Sequence, residues 1–165
     1  MENHQKRTTY DKILEIAAIV ALLGACYPLL FYGTIDSNTL IPIHYNFAGE
    51  VDRWGDRSVL WIFPPIALLF YIGLSMLQKY PHTYNYPSKV TKENADYLYK
   101  MGVQLMRHIK VLTIFILAYL NNNTYTVAIG RGTGPNEYIL YALIAGILLL
   151  VIIYSIKMVL YKPKI

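Results

Sequence analysis

Four long apolar blocks constrain this chain more than any other feature: Ile13 to Gly33, Val59 to Leu77, Ile109 to Ile129 and Tyr138 to Leu160. Each is near the ~20 residues a helix needs to cross ~30 Å of hydrocarbon. Only 15% of the 165 residues are charged, against about 25% in ordinary soluble domains, so the bilayer is the expected solvent. The blocks are continuous, unlike the alternating ~10-residue segments of an outer-membrane barrel. The expected fold is therefore all-α, an integral membrane four-helix bundle forming one domain over residues 1–165. Its spans lie at about 13–33, 59–77, 109–129 and 138–160. An ordered extracytoplasmic loop at 34–58 and an inner loop at 78–108, with a cytoplasmic amphipathic helix, join them.

The third block is interrupted by Asn121-Asn122-Asn123-Thr124, whose amides need partners inside hydrocarbon. A span from Val103 to Leu120 avoids them but buries Arg107 and Lys110 at ~2.5–3.5 kcal/mol each, which favours a start near Ile109. The asparagines are then expected to bond between helices or to leave the membrane early; a polar path for a solute is the alternative. Glu15, just inside the first span, is expected to form a boundary salt bridge with Lys12, Arg107 or Lys110. Pro64-Pro65 is compatible with a kink or with a first-turn position.

Twelve of the fifteen basic residues lie in the N-terminal tail, the 78–110 section and the C-terminal end, whereas only Arg53, Arg57 and Arg131 lie in the other two loops. The positive-inside rule then puts both termini in the cytoplasm and the 34–58 loop outside. Divided among membrane-flanking positions, this charge forms no single basic face, so the pI near 9.2 does not point to nucleic acid. The lone Cys26 reads as a small buried hydrophobe. A lipoprotein signal ending at Leu23-Gly24-Ala25-Cys26 is the sharper alternative, disfavoured by the apolar run that continues through Tyr32.

Within the outer loop, Ile41-Pro42-Ile43-His44-Tyr45-Asn46-Phe47-Ala48-Gly49-Glu50-Val51-Asp52-Arg53-Trp54-Gly55 gathers groups able to bind or orient a ligand. His44 and Asp52 could shape the loop as a hydrogen-bonded pair, hold a divalent metal, or act in acid/base chemistry. Two donors do not make a metal site, and neither Ser58 nor Thr39 has the context of an activated nucleophile, so no catalytic residue, metal or cofactor is assigned. Tyr45 and Trp54 suit an aromatic floor or a membrane anchor, and Gly49 and Gly55 suit tight turns. The candidate ligand-binding set is His44, Asn46, Gly49, Asp52 and Trp54. In the inner section Tyr80 to Pro87 reads as a proline-bracketed turn. Thr91 reads as the N-cap of a helix whose apolar stripe runs from Ala95 to Ile109.

The pattern Ile41-Pro42-x-His44-Tyr45-Asn46-x-x-Gly49-x-x-Asp52-x-Trp54-Gly55, followed by Pro81-His82-x-Tyr84-Asn85-Tyr86-Pro87 and Thr91-x-Glu93-Asn94, resembles the bacterial membrane family called domain of unknown function 1648. That domain also opens SdpI-type immunity proteins, which protect cells against peptide toxins. The resemblance spans about residues 10 to 115 and implies a multi-pass membrane protein without implying a reaction. It matches His44, Asn46, Gly49, Asp52 and Trp54 in the outer motif and Asn85, Pro87 and Asn94 in the inner one. The chain lacks the longer C-terminal region of SdpI-type proteins. The expected role is extracytoplasmic recognition of a peptide or small ligand, with the bilayer as a partner and a cytoplasmic protein as a candidate partner at 81–94. A small transport protein using Glu15, Pro64-Pro65 and the Asn triplet is the alternative, and a metal-dependent membrane hydrolase a third.

Overall fold

The computed structural model describes residues 7–46 and 50–163. Helix α1 (Thr9–Cys26) starts at a reciprocal capping box. The Asp11 amide donates to the Thr8 hydroxyl at 3.2 Å, and the Asp11 carboxylate accepts from the Thr8 amide at 2.8 Å. Pro28 has no N–H for the α-helical ladder, and the chain continues as a 3₁₀ helix over Tyr27–Thr34. The outer loop then forms a hairpin, β1 (Leu40–Tyr45) and β2 (Val51–Asp56). This corrects the all-α expectation: the loop is a small antiparallel sheet, reached through β-branched Ile41, Ile43 and Val51 that suit a pleated surface.

A 3₁₀ turn at Arg57–Trp61 leads into α2 (Phe63–Leu77), with Pro64 and Pro65 in its first turn, where missing N–H groups cost little. The kink reading is therefore set aside. Helix α3 (Ala95–Ala128) runs unbroken for 34 residues, about 51 Å at 1.5 Å per residue. It differs from expectation at its N-terminal end. The stretch from Ala95 is the first part of this helix, not a separate amphipathic one, and its N-cap is Asn94; Thr91 instead donates its amide to Asn94 Oδ1 at 2.8 Å. Helix α4 (Glu137–Leu160) begins at Asn136, whose side chain accepts from the Ile139 amide. All four helices, counted with their 3₁₀ extensions, are long and apolar enough to cross a membrane.

Helix α3 is the central post against which α1, α2 and α4 each pack. Its contact with α1 and α2 is made largely of alanines, Ala18, Ala21, Ala25, Ala67 and Ala118 around Ile114, the small-residue packing that lets membrane helices approach closely. A second cluster, Ile35, Ile41 and Leu60, seats the hairpin on the helix ends, and a third, Leu98, Tyr154 and Met158, ties α4 to α3 at the opposite end. The apolar side chains left facing outward, among them Leu30, Leu69 and Leu148, suit contact with lipid.

The asparagines sit inside this packing and bond between helices. Residue 24 stands four before Pro28 and residue 60 four before Pro64, so neither Gly24 nor Leu60 can receive its normal α-helical N–H. Asn122 Nδ2 donates to Gly24 O at 2.8 Å; fully buried Asn121 donates through Nδ2 to Ala25 O at 2.8 Å and Leu60 O at 3.3 Å. Asn123 serves its own helix, donating to Tyr119 O. Two of the three amides thus donate to carbonyls that a proline four residues on leaves without an α-helical N–H.

Candidate functional site

The hairpin pairs Leu40 with Asp56, Ile41 with Gly55, Pro42 with Trp54, His44 with Arg53 and Tyr45 with Val51. Irregularities on both sides of His44 leave Asp52 out of the pairing, and the two side chains meet: His44 Nδ1 lies 2.6 Å from Asp52 Oδ1. An ionised carboxylate only accepts, so Nδ1–H donates and Nε2 is the ring nitrogen left for a ligand. The pair is open to solvent, its side chains 60% and 45% exposed.

Asn46 shapes the turn. Its backbone N–H donates to Glu50 O at 2.8 Å, its Oδ1 accepts from the Glu50 amide at 2.9 Å, and its Nδ2 donates to Glu50 Oε2 at 3.0 Å. Gly49 lies outside the described residues. Trp54 is 54% exposed opposite Pro42. Asp56 caps the following 3₁₀ turn, and hydrogen bonds from Ser58, outweighing a smaller desolvation effect, hold its carboxyl below the usual range.

Beneath the hairpin lies a cavity of ≈ 560 Å³, bounded by the hairpin and by the nearby ends of α2, α3 and α4. His44, Asp52 and Tyr45 line it, whereas Trp54 does not. Its floor is apolar, built from Val59 and Phe63 with Leu120 and Leu140. Burial pushes the Tyr45 hydroxyl above its ordinary range, and that oxygen has no hydrogen-bond partner among the described residues. Sequence reasoning missed the contribution of residues 120–141 to this site. Only Glu137, a carboxylate beside the Asn136 cap, carries a local signal. Among the described residues no three His, Cys, Asp or Glu side chains gather as metal ligands. Thr124 lines the cavity, but its hydroxyl donates to Leu120 O in its own helix.

A second polar cluster occupies the other end of the bundle. Lys110, 1% exposed, donates to Glu15 Oε2 at 2.9 Å and Ser75 Oγ at 3.0 Å, while Tyr71 donates to Glu15 Oε1 at 2.6 Å. Arg107 pairs with Asp11. The insertion cost that argued for a start of the span near Ile109 is thus offset by pairing within the bundle. The inner motif is architectural in its bonding. Asn94 Nδ2 donates to Lys89 O, Tyr84 donates to Leu77 O, and Tyr86 donates to Pro81 O. Burial pushes the Tyr84 hydroxyl up to about 12 and raises Tyr86 as well.

Residues 19–68 match the model of the family described as Domain of unknown function (DUF1648). The match runs from the middle of α1 through the hairpin into α2, so it contains the His44–Asp52 pair, while the inner motif lies beyond it. A curated protein from Archaeoglobus fulgidus, named "Uncharacterized protein", is 27% identical over 103 residues, covering 54% of this chain. The chain spans about half that relative's length, 55%. No solved structure matches.

Proposed function

We propose that this protein, a multi-pass membrane protein whose residues 19–68 carry the domain of unknown function 1648, recognises a peptide or small ligand at the hairpin, on the extracytoplasmic side. The observation that carries the reading is the cavity: ≈ 560 Å³ with an apolar floor and a few convergent polar groups, the composition of ligand sites in general. The basic residues support the sidedness, since the hairpin end holds only Arg53, Arg57 and Arg131. An immunity-like role, as in SdpI-type proteins of bacteria, is one form such recognition would take. The test is a thermal-shift screen of peptides and amphiphiles on purified protein in neutral micelles. Compounds that raise the Tm of the wild type should lose their effect in His44→Ala and Asp52→Ala. Compounds equally effective on both variants, or no active compound at all, would overturn the reading.

A transport reading is favoured by one observation, the buried Lys110–Glu15 pair. Its other supports have structural roles instead, the Asn side chains as donors to helix carbonyls and Pro64-Pro65 as a helix start. Solute flux in proteoliposomes, lost in Glu15→Gln, would establish it; absence of flux would leave recognition alone.

A further inference from the structure

We infer that the ligand of the hairpin cavity is a cationic amphiphile, an organic ammonium on an apolar chain, with its charge held between Glu137 and the His44–Asp52 pair. This deepens the recognition reading and rests on it. Asp52 and Glu137 both line the cavity, and neither Arg53 nor Arg131 does, although Arg53 is the cross-strand partner of His44. The charge facing the cavity is therefore negative when His44 is neutral.

The two carboxylates are not equivalent. Asp52 is engaged by His44 at 2.6 Å, whereas Glu137, the first residue of α4 and only partly exposed, has no side-chain hydrogen bond or ion pair among the described residues. The α4 N-terminus favours a carboxylate at that position but leaves its outward oxygens free for a cation. Tyr45 adds a second group without a partner among the described residues, a buried hydroxyl whose oxygen would accept from an ammonium N–H.

Access suits an amphiphile. Helices α2 and α4 each pack on α3, and no extended contact joins them to one another, so the cavity floor between Phe63 and Leu140 lies at a seam between these two helices. An apolar chain entering along that seam would meet Leu120 and Leu140, with its head level with the hairpin.

The experiment compares three probes with one chain and different heads, hexylammonium, hexanol and hexanoate. Binding is measured by calorimetry to protein in maltoside micelles, with empty micelles subtracted. Saturable binding is expected in the order cation, alcohol, carboxylate. Glu137→Gln should weaken the cation at least tenfold and leave hexanol within twofold, and Leu140→Trp, which fills the floor, should abolish all three. Equal binding of the three heads, or a cation unaffected by Glu137→Gln, overturns the cationic class while the cavity reading stands. Failure of every probe on the wild type, or unchanged binding to a folded Leu140→Trp variant, overturns the class and the cavity reading together. The head-group order is read on the wild type, so it decides the matter even if a variant does not fold.

Discussion

Replacing Asn121 with Leu, a side chain of similar size, tests whether the asparagines serve carbonyls that Pro28 and Pro64 leave without an α-helical N–H. The change removes two donations, 2.8 Å to Ala25 O and 3.3 Å to Leu60 O, in a position with no exposure to solvent. Hydrogen bonds between membrane helices average about 0.6 kcal/mol and reach about 1.7, which brackets the pair at ~1–3 kcal/mol. Against this stands Asn121 Oδ1, itself buried without a partner among the described residues, whose removal offsets part of the loss. The expected net destabilisation is ~1–2 kcal/mol. Reversible unfolding in mixed micelles, titrated with SDS, measures it. Asn123→Leu is the internal control, because among the described residues its amide bonds only to Tyr119 O in its own helix, and it should cost under ~0.5 kcal/mol. Asn122→Leu, with one donation across to Gly24 and one to Ala118, should fall between them. Pro64→Ala restores an N–H four residues after Leu60, so the cost of Asn121→Leu should shrink by ~0.5 kcal/mol in that background. Equal costs at 121 and 123, or no coupling to Pro64, would refute that reading.

At the other end of the bundle, Lys110→Met should destabilise by ~3–5 kcal/mol by leaving Glu15 without its buried cation, and adding Glu15→Gln should recover most of the loss in the same unfolding assay. His44→Ala and Asp52→Ala break an exposed pair and should each cost under ~1 kcal/mol, which separates their effect on binding from any effect on folding. Gly134 has φ of +110° and its missing Cβ would lie 2.6 Å from the Tyr45 hydroxyl; Gly134→Ala should therefore cost ~1–3 kcal/mol and alter the cavity, visible as altered hydrogen exchange in β1. Asp56 has a folded-state pKa below its ordinary value, so the cap is fully stabilising above the unfolded pKa near 3.8 and loses that contribution as pH falls through the depressed one. Exchange at the Ser58 amide should accelerate in that acid window, and Asp56→Asn should remove the dependence.

What these residues specify on their own is the membrane scaffold and the location of its polar sites. The four apolar blocks are visible because a spanning helix must be apolar along its whole length, a local condition that any reading of the chain can detect. The eight-residue separation of His44 and Asp52 kept their pairing in view, and Glu15 stood out because a carboxylate in a span demands a partner. The hairpin was hidden, because Pro42, two glycines and polar residues mask the alternation of its strands, and the bulge at His44 breaks the period. Asn121 looked like an interruption of the third span because its partners, the carbonyls of Ala25 and Leu60, lie 96 and 61 positions away in the chain. The cavity belongs wholly to tertiary structure. Its walls come from the hairpin, α2, α3 and α4, and no local pattern in residues 120–141 announces that Leu120, Glu137 and Leu140 face His44. Local sequence therefore determined which segments enter the bilayer and which groups are costly there. Only packing around α3 decided which of those groups meet, because each partner is supplied by a different helix.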